Sequence, residues 1–268
     1  MLMDNRPIIV GGCHRSGTSL VRRILDAHSR IHCGPEIKFL SDFFSDFLPD
    51  PLAPFRFFST ARSVLPEDEV FRVAGKAFVE IHELAARRAG KTRWADKNPE
   101  NVVYLRQWQQ LLSNEWVFVH VVRNPLDTLA SIKEASWEYH PVDLDSRIAV
   151  YLRYLEAGFD FGRANPDRYR LLIYEELVSA PDRCVTSLME WLGDAFELGQ
   201  MDFNSMPHQA GVEDPKVAGT DRVHSESRGR WRQTLTPEEA REVASRCLGT
   251  WSRVDPSGDY GWLVESPS

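Results

Sequence analysis

Cysteine is scarce in this chain: four residues in 268, none in a CxxC pair or a Cys/His cluster. That spacing argues against a zinc site and predicts that Cys13, Cys33, Cys184 and Cys247 are small buried hydrophobes in a reducing compartment. An excess of basic charge is also missing. The formal net charge is −7, which argues against nucleic acid as a partner. No apolar run is long enough to cross a bilayer, and Met1–Pro7 is short and polar rather than a signal peptide, so the expectation is a cytoplasmic chain with no membrane partner. Internal repeats and low-complexity tracts are absent. One further absence is local: the loop that opens the chain carries Thr18 where a nucleoside-triphosphate loop would carry lysine.

What is present suits one large α/β domain over residues 1–268, with a loop-rich segment near 193–232. Hydrophobic residues make up 43% of the chain, ample for a core. The organising stretch is Ile8 to Val21. The run Ile8-Ile9-Val10 reads as a buried strand. Gly11-Gly12-Cys13-His14-Arg15-Ser16-Gly17 is a glycine-bounded turn, and Thr18, Leu20, Val21, Ile24 and Leu25 begin a helical pattern running to about Ala27. Strand, glycine loop and helix together aim backbone N–H groups at an anion. With Arg15 as its cation, the loop suits a singly esterified oxyanion better than a metal-bridged triphosphate.

Further along, Gly34-Pro35 is a turn, and Glu36 falls in the first turn of a helix showing Ile37, Leu40, Phe44, Phe47 and Leu48 on one face. Residues 49–67 read as a Pro- and Phe-rich loop. Val70, Ala74, Phe78, Ile81 and Ala85 mark a long amphipathic helix ending near Gly90. Thr92 to Ala95 is a short strand. Asn98-Pro99 caps the next helix, and Trp116 to Val122 is the strongest strand, apolar on both faces. Arg123-Asn124-Pro125-Leu126-Asp127 repeats the cation, cap, proline order. Leu144 to Phe159 is helical, Tyr169 to Ile173 is a strand, and helix follows from Tyr174 to about Leu192. Thr236-Pro237-Glu238-Glu239 opens a last helix with a capping box. Strands alternating with helices predict a parallel sheet of the phosphate-loop type with helices on both faces, its ligand lying at the carboxyl ends of the strands. That edge collects three cations beside helix starts, Arg15, Lys97 and Arg123, a cage for a polyanion.

These segments resemble the sulfotransferases that use 3'-phosphoadenosine 5'-phosphosulfate (PAPS), closest to the tyrosylprotein and bacterial small-molecule branch. Arg15-Ser16-Gly17-Thr18-Ser19 is similar to the family's 5'-phosphosulfate loop. Arg123 and Ser131, eight residues apart, are similar to its 3'-phosphate motif. Cys33-Gly34-Pro35-Glu36 looks like the catalytic-glutamate segment, Asp96-Lys97-Asn98-Pro99 like the catalytic-lysine segment, and Tyr174 like a tyrosine that contacts the cofactor. Ser225 to Arg232 is the candidate cofactor loop, with Arg228, Gly229 and Arg230 near the 3'-phosphate and Trp231 near adenine.

The resemblance implies metal-independent, in-line transfer of a sulfuryl group to an acceptor hydroxyl on a small molecule, sugar or peptide. Glu36 is the expected general base. Lys97 and Arg15 would stabilise the bridging and sulfuryl oxygens. His14, His28, His32, His120 and His224 are rival bases. Two other readings share the scaffold: a small-molecule kinase, which would need magnesium and a loop lysine, and a nucleotide-binding protein without chemistry.

Overall fold

The computed structural model describes residues 4–44, 56–135, 143–205, 223 and 225–259. Five parallel strands form one sheet, β1 Ile8–Gly11, β2 Ile31–Cys33, β3 Arg93–Lys97, β4 Val117–Val122 and β5 Tyr169–Ile173, in the order β2-β3-β1-β4-β5. The β1 strand is central. It pairs with β3 through Ile8 opposite Ala95 and with β4 through Ile8 opposite Val117. Its four residues are buried on both faces, as an unbroken β-branched run requires of an interior parallel strand.

Helices cover the sheet on either side. On one side lie α1 Thr18–Asp26, α8 Tyr174–Ser179 and α9 Pro181–Leu192, where Leu20, Val21, Ile24, Leu177, Leu188 and Leu192 pack on Ile8, Val10 and Val119. On the other lie α4 Glu67–Arg88, α5 Leu105–Leu112, α6 Pro125–Ala135, α7 Leu144–Ala164 and α11 Pro237–Trp251, packed through Phe78, Trp108, Leu129, Tyr151 and Trp251 on Ile9 and Phe118. Three short helices complete the described set: α2 Phe39–Phe44, α3 Arg56–Ala61 and α10 Trp231–Thr234. The last helix has the expected capping box. Thr236 Oγ1 accepts from the Glu239 amide at 3.2 Å, and the Glu239 carboxylate accepts from the Thr236 amide at 2.8 Å.

Several expectations are corrected. Ile31–Cys33 is a strand, too short at three residues for any period to show. Glu36 is not helical: α2 begins at Phe39, so the carboxyl sits on the extended link after β2 instead of complementing a helix dipole. Asn98 does not cap an α-helix. It precedes a 3-10 turn, Pro99–Val103, and its side chain turns back to Asp96 at 3.0 Å. The helix expected from Tyr174 to Leu192 is two helices, broken at Ala180 because Pro181 disfavours helical backbone in the residue before it. Phe47, Leu48 and residues 49–55 of the expected loop fall outside the described residues, and within the rest of that expected loop Arg56–Ala61 is the helix α3. Among the described residues no helix is long and apolar enough to cross a membrane.

The cysteines behave as small apolar side chains. Cys13, Cys33 and Cys247 are buried, all four are free, and burial pushes the thiols up, Cys33 to about 12 and Cys184 to about 11. Cys13, inside the loop, is shifted in the same direction by burial, which disfavours its thiolate.

Candidate active site

The carboxyl ends of all five strands share one edge because the sheet is wholly parallel. The loop after β1 is shaped by two close approaches. A Cβ on Gly12 would lie 2.1 Å from the Val121 carbonyl oxygen. Gly17 has φ 99, in the left-handed region, and a Cβ there would lie 2.5 Å from Cδ2 of Tyr174. Only glycine meets both demands at position 17. The ring of Tyr174, first residue of α8, therefore floors the loop. Arg15 also takes positive φ, 68, a strained value for a side-chain-bearing residue at the loop's apex. The first helical bond runs from the Leu20 amide to Gly17 O at 3.1 Å, so the amides of Thr18 and Ser19 precede the intrahelical ladder.

Arg15 and Arg123 come together here. The Arg15 Nε donates to Ser131 Oγ at 3.0 Å. The Arg123 Nη1 donates to the Arg15 carbonyl at 3.0 Å, and Nη2 to the Ser227 carbonyl at 2.5 Å. Arg123 lies over the Tyr174 ring at 4.7 Å, and its Nε, buried, has no partner among the described residues. Ser131 thus stands beside Arg15. Two loop hydroxyls are likewise engaged. Ser16 Oγ donates to Val121 O at 3.3 Å, and Ser19 Oγ accepts from Lys97 Nζ at 3.1 Å.

Lys97 ends β3 with its ammonium fully buried, bonded to Ser19 and to Glu36 Oε1. It is therefore no solvated cation beside a cap. The other Glu36 oxygen lies 2.6 Å from Lys38 Nζ. Lys38 reaches both oxygens of Glu100, at 3.1 and 3.2 Å, and Glu100 lies 3.7 Å from His14 Nε2. Lys97, Glu36, Lys38 and Glu100 thus form a chain of alternating charge that closes back on His14 of the loop after β1.

Among the rival bases that are described, only His14 adjoins this chain. Burial holds its imidazole below the ordinary range, against the pull of Glu100. His28 bonds the Ala195 carbonyl at 3.0 Å, His32 lies 3.4 Å from Asp26, and His120 is buried in β4 with its ring pushed down to about 3. His224 is outside the described residues.

The 225–231 segment does reach the site, held by an anchor the sequence reading missed. Asp127 Oδ2 accepts from the Gly229 amide at 2.7 Å, and Oδ1 from the Trp231 amide at 3.0 Å. Asp127 looked like an ordinary first-turn acid, and nothing in its spacing marks it. Arg228 donates to Ser179 Oγ at 2.7 Å and Arg230 reaches Glu134 at 3.3 Å. Trp231 is 9% exposed, part of the core packed around α6 and α11, with Arg232 at 4.5 Å over its ring. Its indole packs into the core.

Also missed is Glu175, wholly buried behind the β4–α6 turn. Its Oε1 accepts from the Asn124 amide at 3.0 Å, Oε2 has no partner among the described residues, and burial pushes the carboxyl up to about 7. Asn124 in turn caps α6, accepting from the Asp127 amide at 2.9 Å.

Comparison with known proteins agrees with this architecture. A Caenorhabditis briggsae protein provisionally named a protein-tyrosine sulfotransferase is 28% identical over 189 residues, 69% of this chain; the chain spans 64% of that relative's length. The sulfotransferase domain of the Synechococcus PCC 7002 olefin synthase shares the fold, with TM-score 0.64 at 20% identity over 91% of this chain and 94% of that one. Mouse sulfotransferase SULT7A1, solved in complex with PAP, shares it with TM-score 0.57 at 13% identity over 97% of this chain and 89% of that one. The model of the Sulfotransferase family matches residues 7–197. Because that span takes in every strand of the sheet, the anion loop and the Lys97–Glu36 pair, the chain belongs to the sulfotransferase family.

Proposed function

We propose that this site transfers the sulfuryl group of PAPS to an acceptor hydroxyl. The observation that carries the reading is the contact of Glu36 with Lys97, and of Lys97 with Ser19 at the anion loop. A base and a cation are thereby placed together where a helix start offers amides to an anion. The residues suit a nucleotide with two separated anionic groups. Arg123 has a buried Nε with no partner among the described residues, and the amides of Thr18 and Ser19 precede the intrahelical ladder. Arg15 and the amides of Gly17, Thr18 and Ser19 would hold the 5' end; Arg123, with the 227–229 turn, would hold the 3'-phosphate.

PAPS supplies an activated sulfuryl group carrying one negative charge. A terminal phosphate carries two, and the loop has Thr18 in place of the lysine that would meet them. The reading therefore needs no divalent ion. Glu36 takes the acceptor proton, a contribution of roughly two to four orders of magnitude in rate. Lys97 and Arg15 offer N–H groups where charge gathers on the bridging and sulfuryl oxygens, and losing one such donor costs about 3–4 kcal/mol of barrier. Acceptor class follows from the relatives only as far as a hydroxyl.

The test is calorimetric titration of the full chain with adenosine 3',5'-bisphosphate, adenosine 5'-phosphate and ATP–magnesium. Binding of the bisphosphate at least tenfold tighter than the other two supports the reading. Preference for ATP–magnesium would move the chain to phosphoryl transfer.

A further inference from the structure

Glu36 is not held by Lys97 alone. Its second oxygen lies 2.6 Å from Lys38, and Lys38 is shared with Glu100 through two bonds of 3.1 and 3.2 Å. Glu100 stands at the start of the 3-10 turn after β3, its side chain 9% exposed, a costly place for an acid. Burial pulls its carboxyl up, yet His14 and Lys38 together outweigh that and leave it below the ordinary range. Lys38 shows the mirror case: burial pulls it down, and Glu100 and Glu36 outweigh that. The arrangement costs desolvation at two buried carboxylates, which one ion pair between Lys97 and Glu36 would halve.

We propose that Lys38 and Glu100 are positioning residues for the base: Lys38 fixes the free oxygen of Glu36, and Glu100 holds Lys38 in place and offsets part of the ammonium's charge there. This rests on Glu36 being the base. A carboxylate clamped by two ammoniums is well oriented but a poor proton acceptor. Sharing one of those ammoniums with a second carboxylate keeps the orientation and restores basicity. The charged groups facing Glu36 are Lys97 from β3, Lys38 from its own link, Glu100 from the 3-10 turn and His14 from the loop after β1. Asp42 of α2 faces Lys38 and Glu100 from the outer side.

The two residues pull the base in opposite directions, and this separates positioning from mere packing. Glutamate carboxyls labelled with carbon-13 are titrated by NMR in the full chain, the Glu36 resonance being the one lost in Glu36→Gln. Lys38→Met should raise the Glu36 midpoint by roughly one unit or more, Lys38→Arg should return it to wild type, and Glu100→Gln should lower it below wild type. Retained thermal stabilisation by adenosine 3',5'-bisphosphate confirms the fold of each variant, and Lys38→Gln replaces Lys38→Met if that variant does not fold. A Lys38→Met midpoint at or below wild type, or a Glu100→Gln midpoint at or above it, overturns the proposal. Transfer assays separate this from the base assignment. If Glu36→Gln turns over normally, the base assignment fails whatever the midpoints show.

Discussion

Replacing Glu175 by glutamine should flatten the pH dependence of stability. Burial pushes this carboxyl from its ordinary 4.5 to about 7. Between those values the folded chain keeps a proton that the unfolded chain has released. The group therefore makes stability fall as pH rises, and the fall is complete just above 7. The gap of about 2.5 pH units corresponds to about 3 kcal/mol at pH 8, with under about 1 kcal/mol already lost at pH 5. For 268 residues the unfolding entropy is about 0.56 kcal/mol/K, so this amounts to a shift in Tm of roughly 5 °C. Glutamine keeps the acceptor for the Asn124 amide, now at 3.0 Å, and cannot ionise. Denaturant unfolding of both chains from pH 5 to 8.5 is the assay. The variant should gain on wild type steadily, by about 2–3 kcal/mol across that window. Two parallel curves would show that Glu175 is not a buried, proton-holding acid, and the account of the turn behind Arg123 would fail with it.

Arg123→Ala should weaken adenosine 3',5'-bisphosphate by roughly ten- to a hundredfold and adenosine 5'-phosphate far less, since a hydrogen bond to a charged group is worth about 1.5–3 kcal/mol. Equal losses in a titration would mean Arg123 does not read the 3'-phosphate. Gly17→Ala puts a Cβ 2.5 Å from the Tyr174 ring at φ 99, so nucleotide binding should be lost, along with about 1–3 kcal/mol of stability; unchanged Tm and affinity would contradict the loop geometry. Asp127→Asn removes a carboxylate that accepts from two amides of the 229–231 turn. Amide exchange at Gly229 and Trp231 should accelerate by tenfold or more, corresponding to about 1–3 kcal/mol, while protection at β4 stays as it was. Lys97→Met should lower kcat roughly a hundred- to a thousandfold, with bisphosphate affinity moving less than kcat.

The parts read correctly from sequence are those where a local pattern has one physical solution. Ile8 to Val10 and Val117 to Val122 are apolar on both faces, which only an interior parallel strand satisfies. Thr236 with Glu239 is a reciprocal cap that needs nothing from the rest of the chain. Gly12 and Gly17 bound a loop whose glycines answer to contacts with Val121 and Tyr174, though only the structure supplies those partners. Reading failed where a residue's role is set from a distance. Ile31–Cys33 gains its strand identity from β3 across the sheet edge. Asp127 is defined by amides about a hundred residues away, and Glu175 by a turn 51 residues earlier. Trp231 is another such case: its place in the core around α6 and α11 is set by helices that the basic loop before it does not announce. Lys97 was found as a cation but not as a buried one, because its burial depends on Glu36 arriving from the link after β2.

The central claim is that Glu36 takes a proton from an acceptor hydroxyl beside a bound PAPS, with no metal between them. It is tested most directly by following release of adenosine 3',5'-bisphosphate from PAPS in excess EDTA, with a pooled set of phenols, sugars and tyrosine peptides as acceptors, for wild type and Glu36→Gln. The account predicts acceptor-dependent release by wild type that EDTA does not diminish, and a fall of a hundredfold or more in the variant with nucleotide affinity kept. Equal release by the two chains, or release abolished by EDTA, would contradict it.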